Sequence, residues 1–247
     1  RPDYAEAYSN LGVALQDQGK LDEAIDAYKK ALSLNPDYTG TYVNLGAALK
    51  DKGRTREAIE TYKQVLLLKP DYARAYNNMS VALRELGKLD EAIETINKAL
   101  SLKPDYAVAY INLGAALKDQ GKIKDAIEAC QKSISLMPDN AEAYSNIGVA
   151  LQDQGKSEKA IKIFKKALSL KPDYAEAHQY LSFALLNSGR FKEGLDEYEW
   201  RWKTANNSSQ FRQFRQPMWD GQQSLLGKRI LLWSEQGIGD TINWSSC

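Results

Sequence analysis

Apolar residues recur along this chain at helical spacing, in paired short runs. Tyr8, Leu11 and Leu15 fall three and four residues apart, and Leu21, Ala24, Ile25 and Tyr28 follow at the same spacing, which predicts two amphipathic helices in quick succession. The double pattern returns every 34 residues, an interval kept by Pro2, Pro36, Pro70, Pro104, Pro138 and Pro172. The chain is therefore an array of units beginning at Ala5, Thr39, Ala73, Ala107, Ala141 and Ala175. Equivalent positions form columns: Tyr8, Tyr42, Tyr76, Tyr110, Tyr144, His178; Gly19, Gly53, Gly87, Gly121, Gly155, Gly189; and Ala24, Ala58, Ala92, Ala126, Ala160, Gly194. The glycine column suits a left-handed residue that ends the first helix, and the proline column stops the second. Asp3 with Glu6, Asp139 with Glu142 and Asp173 with Glu176 have the spacing of capping boxes.

No unit can bury its apolar face alone. Small residues at Gly12, Gly46, Gly114 and Gly148 let helices approach, and each large apolar side chain that fills the gaps contributes about 1.5 to 3 kcal/mol. Stacking then gives an all-α, right-handed superhelical solenoid with a long concave and a long convex face. The sixth unit departs from the pattern: Gly194 replaces Ala, Arg201 stands where Ala31, Ala99 and Ala167 stood, and Asn206 replaces Pro. That is expected of a more polar terminal unit. At the other end, Arg1 to Tyr4 match the tail of a unit, so the protein is expected to continue N-terminally.

The run of Tyr, Leu-Gly, Leu, Gly, Ala, aromatic, Ala and Pro resembles the tetratricopeptide (TPR) repeat family from Arg1 to about Asn206. The resemblance implies stacked helix hairpins and a protein or peptide ligand in the concave groove.

Composition narrows the function. Thirty-three Lys and Arg against 32 Asp and Glu leave a net charge of +1, which argues against a nucleic-acid partner, as does a 34-residue period for a helical-repeat RNA code. Apolar runs such as Val65 to Leu68 and Ile230 to Trp233 are too short to cross a bilayer, so no membrane partner is expected. Two cysteines, Cys130 and Cys247, and one histidine give neither a disulfide framework nor a metal site, and no cofactor is expected. Cysteine usage points to a reducing, cytoplasmic setting.

One polar column has no evident packing role: Asn10, Asn44, Asn78, Asn112 and Asn146, broken by Tyr180. An amide both donates and accepts, so such a ladder suits the main chain of an extended peptide, about one contact per three residues for helices about 10 Å apart. The competing reading is that each Asn bonds a neighbouring helix and stabilises stacking. Within Ala-x-Ala-Tyr-x-Asn-Leu-Gly, the ladder is similar to the TPR superhelix of O-linked N-acetylglucosamine transferases, which implies a substrate-holding role. The carboxylate clamp of chaperone adaptors is not matched, because Ser9, Val13 and Asn78 stand at its cationic and amide positions. The pairs Gln16-Asp17, Lys50-Asp51, Arg84-Glu85, Lys118-Asp119 and Gln152-Asp153 read as solvated helix ends. His178 and Cys130, in aromatic columns, read as packing residues.

After residue 199 the composition changes. All five tryptophans lie there, with six Lys and Arg against three acids. Residues 207–226, with Phe211, Phe214 and Trp219, read as an aromatic capping or linker segment. Residues 227–247 read as the first strand and loop of a truncated α/β domain, where Glu235, Gly237, Gly239 and Asp240 form a loop suited to a phosphate or sugar. Tyr198 to Trp202, Pro217 to Gly221, Gly227 to Leu232 and Glu235 to Asp240 together resemble bacterial TPR proteins with a heptosyltransferase-like glycosyltransferase domain. That resemblance implies Asp240 as a candidate catalytic base and leaves the nucleotide-sugar half outside the chain. Two functions follow: a peptide-binding module that recruits substrates to a glycosyltransferase domain, or a pure adaptor with no enzymatic role.

Overall fold

The computed structural model describes residues 2–203. Among these residues every element is helical: α1 (Pro2–Asp17), α2 (Leu21–Leu34), α3 (Thr39–Asp51), α4 (Thr55–Leu68), α5 (Ala73–Glu85), α6 (Leu89–Leu102), α7 (Ala107–Asp119), α8 (Ile123–Leu136), α9 (Ala141–Asp153), α10 (Ser157–Leu170), α11 (Ala175–Asn187) and α12 (Phe191–Tyr198), closed by a 3₁₀ turn over Glu199–Lys203. Each 34-residue unit is one hairpin of an odd-numbered and an even-numbered helix. The expected α/β segment at 227–247 and the linker at 207–226 lie outside the described residues.

The breaks between helices follow the columns. Gly19, Gly53, Gly87, Gly121, Gly155 and Gly189 all have φ between 71° and 81°. In the first hairpin the Gly19 N–H donates to the Gln16 carbonyl and the Lys20 N–H to the Leu15 carbonyl, each at 2.9 Å, which satisfies carbonyls that the helix end would leave unpaired. The helix starts differ from the capping-box expectation. Tyr38, Tyr72, Tyr106 and Tyr174 occupy the cap positions without a side-chain bond. Only Asn140 caps in the expected manner, accepting from the Ala143 N–H at 3.1 Å. The Asp lies one residue too early for the role, and its carbonyl instead closes a tight turn, as from the Ala107 N–H to Asp105 at 3.0 Å. Asp3 lies inside α1, which begins at Pro2, a residue suited to the first helical turn.

The core runs between hairpins. Tyr28, Val43, Leu49, Tyr62, Val65 and Leu83 are buried in one continuous cluster across three units. Two columns show why stacking is needed. Ala7 and Leu11 are exposed in the first unit, whereas Ala75, Ala109, Ala143, Ala177, Leu45 and Leu181 are buried against the preceding hairpin. Odd helices touch their odd neighbours along the whole array, from α1 against α3 to α9 against α11. No Cα of an even helix comes within 8 Å of the next even helix. The array therefore bends toward the odd helices, which line its concave side.

Candidate functional site

The asparagine ladder lies on those inner helices. Asn10, Asn44, Asn78, Asn112 and Asn146 occupy the same place on α1, α3, α5, α7 and α9. Asn10 is exposed and the other four are half-buried. The sequence left two uses open for these amides, and the geometry divides them. Asn10 and Asn146 make no side-chain hydrogen bond among the described residues. The Asn44 carbonyl oxygen accepts a long bond from Arg74 Nη2 at 3.4 Å. Asn112 Nδ2 donates to Asn77 Oδ1 at 2.9 Å, and Asn77 Nδ2 donates on to Asn78 Oδ1 at 3.2 Å. Stacking thus uses one end of the amide at Asn44, Asn78 and Asn112. The Asn44 NH₂ group and the Asn112 carbonyl remain available, whereas the Asn78 NH₂ group lies toward the Tyr62 hydroxyl.

Asn77 was not singled out by the sequence, because its column reads Ser9, Val43, Asn77, Ile111 and Ser145 and looks irregular. The column is the buried seam between inner helices, where Ser9 accepts from Thr41 Oγ1 at 2.9 Å. Small polar and aliphatic residues are interchangeable there as long as each hydroxyl or amide finds a partner.

The paired charges at the ends of the odd helices are also more than solvated ends. Gln16 Nε2 donates to Asp51 at 3.0 Å, Lys50 reaches Glu85 at 3.5 Å, and Arg84 Nη1 reaches Asp119 at 3.0 Å. Each bond joins one unit to the next, because a residue at the first position of a pair faces the second position 35 residues on. Burial opposes the charge on Lys50, but its hydrogen bond to Asp51 and the charges of Asp51 and Glu85 outweigh that and raise its pKa. Lys118 breaks the series by pairing with the adjacent Asp119 at 2.9 Å. Between the amides and this ionic row run Val13, Ala47, Val81, Ala115 and Val149, a narrow aliphatic strip.

At the sixth unit the groove changes: Tyr180 takes the asparagine column and Phe183 the aliphatic strip. His178 is buried, as its aromatic column suggests, with its ring stacked on Trp200 at 3.9 Å and 7°. Its Nε2 lies 2.9 Å from the Pro172 carbonyl and its Nδ1 against Glu197. Cys130 is buried and packs where a Cβ on Gly114 would otherwise go, and burial pushes its thiol up to about 12. Neither residue faces the groove as a reactive group.

Two surface cavities, of about 620 and 490 Å³, open instead on the outer side, between α2 and α4 and between α4 and α6. None of the ladder asparagines lines them. Among the described residues no cluster of His, Cys, Asp and Glu could hold a metal, and no helix is long and apolar enough to cross a membrane. Glu235, Gly237, Gly239 and Asp240 lie outside the described residues.

Sequence profiles agree with the geometry. Tetratricopeptide-repeat profiles match residues 5–38, 27–60, 105–173 and 151–215, and a TPR-repeat profile matches 48–83 and 81–121. The crystal structure of MamA protein is 34% identical over 71% of this chain and 96% of that one, with a TM-score of 0.56. The chain belongs to the tetratricopeptide repeat family. Two more distant TPR neighbours show the fold alone. PilW, a type IV pilus biogenesis factor, is 19% identical over 83% of this chain and 97% of that one, with a TM-score of 0.71. TTC0263, a thermophilic TPR protein of Thermus thermophilus, is 24% identical over 74% of this chain and 99% of that one, with a TM-score of 0.66. No curated protein sequence matches the chain significantly. As a TPR protein, the chain is of a kind that acts through protein partners.

Proposed function

We propose that the inner face of units 1–5 holds an extended segment of another protein by its main chain. The observation that carries this reading is the ladder: five amides in register on the concave helices, of which Asn10, Asn44, Asn112 and Asn146 each keep a donor, an acceptor or both after stacking is satisfied. The aliphatic strip beside them leaves room for peptide side chains without selecting among them, and the balanced ionic row adds no strong charge preference. Asn10, Asn44 and Asn146 separate binding from stacking, since two have no structural partner and the third only a long one. Replacing all three by Ala is expected to lower affinity for extended peptides by about a hundredfold, at about 1 kcal/mol per lost bond, and to leave the helical circular dichroism unchanged. Unfolding would assign the ladder to stacking, and unchanged binding would remove the groove reading.

Within this proposal the groove recruits substrates for a glycosyltransferase domain. Support comes from the motif run between Tyr198 and Asp240, where Asp240 would serve as base and Glu235, Gly237 and Gly239 would line the sugar loop. A pure adaptor role is the second reading. It is favoured by MamA, 96% of which is matched by 71% of this chain. The coding sequence after Cys247 separates the two: a second nucleotide-binding half supports the first reading and an unrelated domain or a stop supports the second.

A further inference from the structure

The sixth unit places two aromatic side chains where the groove elsewhere carries an amide and a small aliphatic residue. Tyr180 is 37% and Phe183 38% exposed. Both rings are held from behind. Tyr180 stacks on Phe164 with centroids 6.0 Å apart at 19°, and Phe183 lies against Tyr198 at 6.2 Å. One helical turn before Tyr180, on the same face of α11, stands the exposed Glu176, with Glu142 at the equivalent place on α9. Neither carboxylate is in an ion pair among the described residues, whereas the acids of the central ionic row are paired.

Two ring faces beside an unpaired carboxylate select among side chains. An aliphatic or aromatic guest would cover the rings but desolvate Glu176 without compensation. A cation satisfies both, since the ring quadrupole and the carboxylate attract it together. We propose that Tyr180, Phe183 and Glu176 form a side-chain pocket at the C-terminal end of the groove that takes an arginine or lysine of the bound protein segment. The pocket rests on the main-chain reading above and adds register to it: the amides hold any extended segment, and the cation fixes where that segment stops sliding.

The test uses fluorescein-labelled peptides about eighteen residues long, matched to six helices about 10 Å apart at about 3.3 Å per residue. They are built from Ala, Ser and Thr and carry one arginine near one end or the other. In control peptides citrulline, a neutral isostere, replaces the arginine. By fluorescence anisotropy on the full chain, one arginine peptide is expected to bind roughly fivefold tighter than its citrulline control. Tyr180→Asn with Phe183→Val and, separately, Glu176→Gln should remove that ratio while the citrulline affinity stays constant. Asn10→Ala with Asn44→Ala and Asn146→Ala should weaken both peptides alike and keep the ratio. Binding without an arginine preference, or a preference that survives the Tyr180, Phe183 and Glu176 changes, overturns the pocket alone. Absence of all peptide binding overturns the groove reading and the pocket with it. A preference that emerges only after Arg212→Ala and Arg215→Ala would show this chain's own segment as the occupant and overturn a foreign one.

Discussion

The first five hairpins and the sixth share one repeat but solve the packing problem differently. In units 1, 2 and 5 a glycine of the inner helix faces a buried ring of the outer helix. A Cβ on Gly148 would lie 2.5 Å from Phe164 Cε1. In unit 6 the inner residue is Ser182, and the ring equivalent to Phe164, Tyr198, is only half-buried. The outer helix compensates with Gly194 in the alanine column, where an added Cβ would meet Leu186 Cγ at 2.7 Å. Ser182 Oγ then donates directly to the Gly194 carbonyl at 2.7 Å. The exchange moves the glycine from one helix to the other, so the two helices still meet closely. The Tyr198 ring lies instead against Phe183 and under the Arg201 guanidinium. Further out, Leu195 is 57% exposed, whereas Ile25, Ile59 and Ile161 in its column are buried under the next hairpin.

The largest expected contrast lies in the ring column. Tyr62→Ala removes a fully buried ring from a core shared by three units and should cost about 3 to 5 kcal/mol in urea unfolding followed by circular dichroism. Tyr198→Ala should cost about 2 kcal/mol or less, because a half-buried ring leaves a smaller cavity. Equal costs would mean that the sixth hairpin is packed like the others.

Next comes the exchanged glycine. Gly194→Ala forces a methyl against Leu186 and should destabilise by about 1 to 3 kcal/mol. Combining it with Ser182→Gly recreates the pattern of units 1, 2, 4 and 5, so the double variant should recover at least about 1 kcal/mol relative to the summed single costs. Strict additivity would break the idea that the two positions act as one device.

This device marks the limit of what the sequence reveals. The 34-residue period, the hairpins and the left-handed glycines follow from spacing alone, because a 3.6-residue helix leaves little freedom once apolar and breaking residues are in place. Gly194 was legible only as a departure, since its partner Ser182 lies on another helix and in a column that already varies. The asparagine ladder was visible for the same reason as the fold: it recurs. Asn77 and the links across 35 residues were hidden, because they depend on how far one hairpin rotates on the next, and no residue pattern states that rotation. Tyr180 was seen as a gap in the ladder, and its meaning came from Phe183 and Glu176 sharing its face.

A control should be blind to the difference between the two regions. Gly87 and Gly189 have φ of 73° and 75° and nothing within 4 Å of a built Cβ. Alanine at either therefore costs backbone strain alone, about 1 to 2 kcal/mol at both sites. A much larger cost at one of them would show that the turns also differ between central and terminal units.

The smallest effect concerns the ionic row, which runs through the central units and stops before the sixth, where Leu186 and Asn187 carry no charge. Burial pushes the Asp119 carboxyl up, but hydrogen bonding to Lys118 and Arg84 and their charges outweigh that, so its pKa lies below the ordinary 3.8. A carboxyl with a depressed folded-state pKa stabilises the fold above its unfolded value, and that contribution disappears as the pH falls through the folded value. Asp119→Asn should therefore cost about 0.2 to 1 kcal/mol at neutral pH and progressively less below pH about 4 or in molar salt. Amide hydrogen exchange localises the effect. Acid should speed opening of α5 and α7, which the Arg84 to Asp119 link joins, more than opening of α11 and α12. Uniform acceleration along the whole array would mean that the hairpins are joined by apolar packing alone and that the row of charges is decoration on a stack that does not need it.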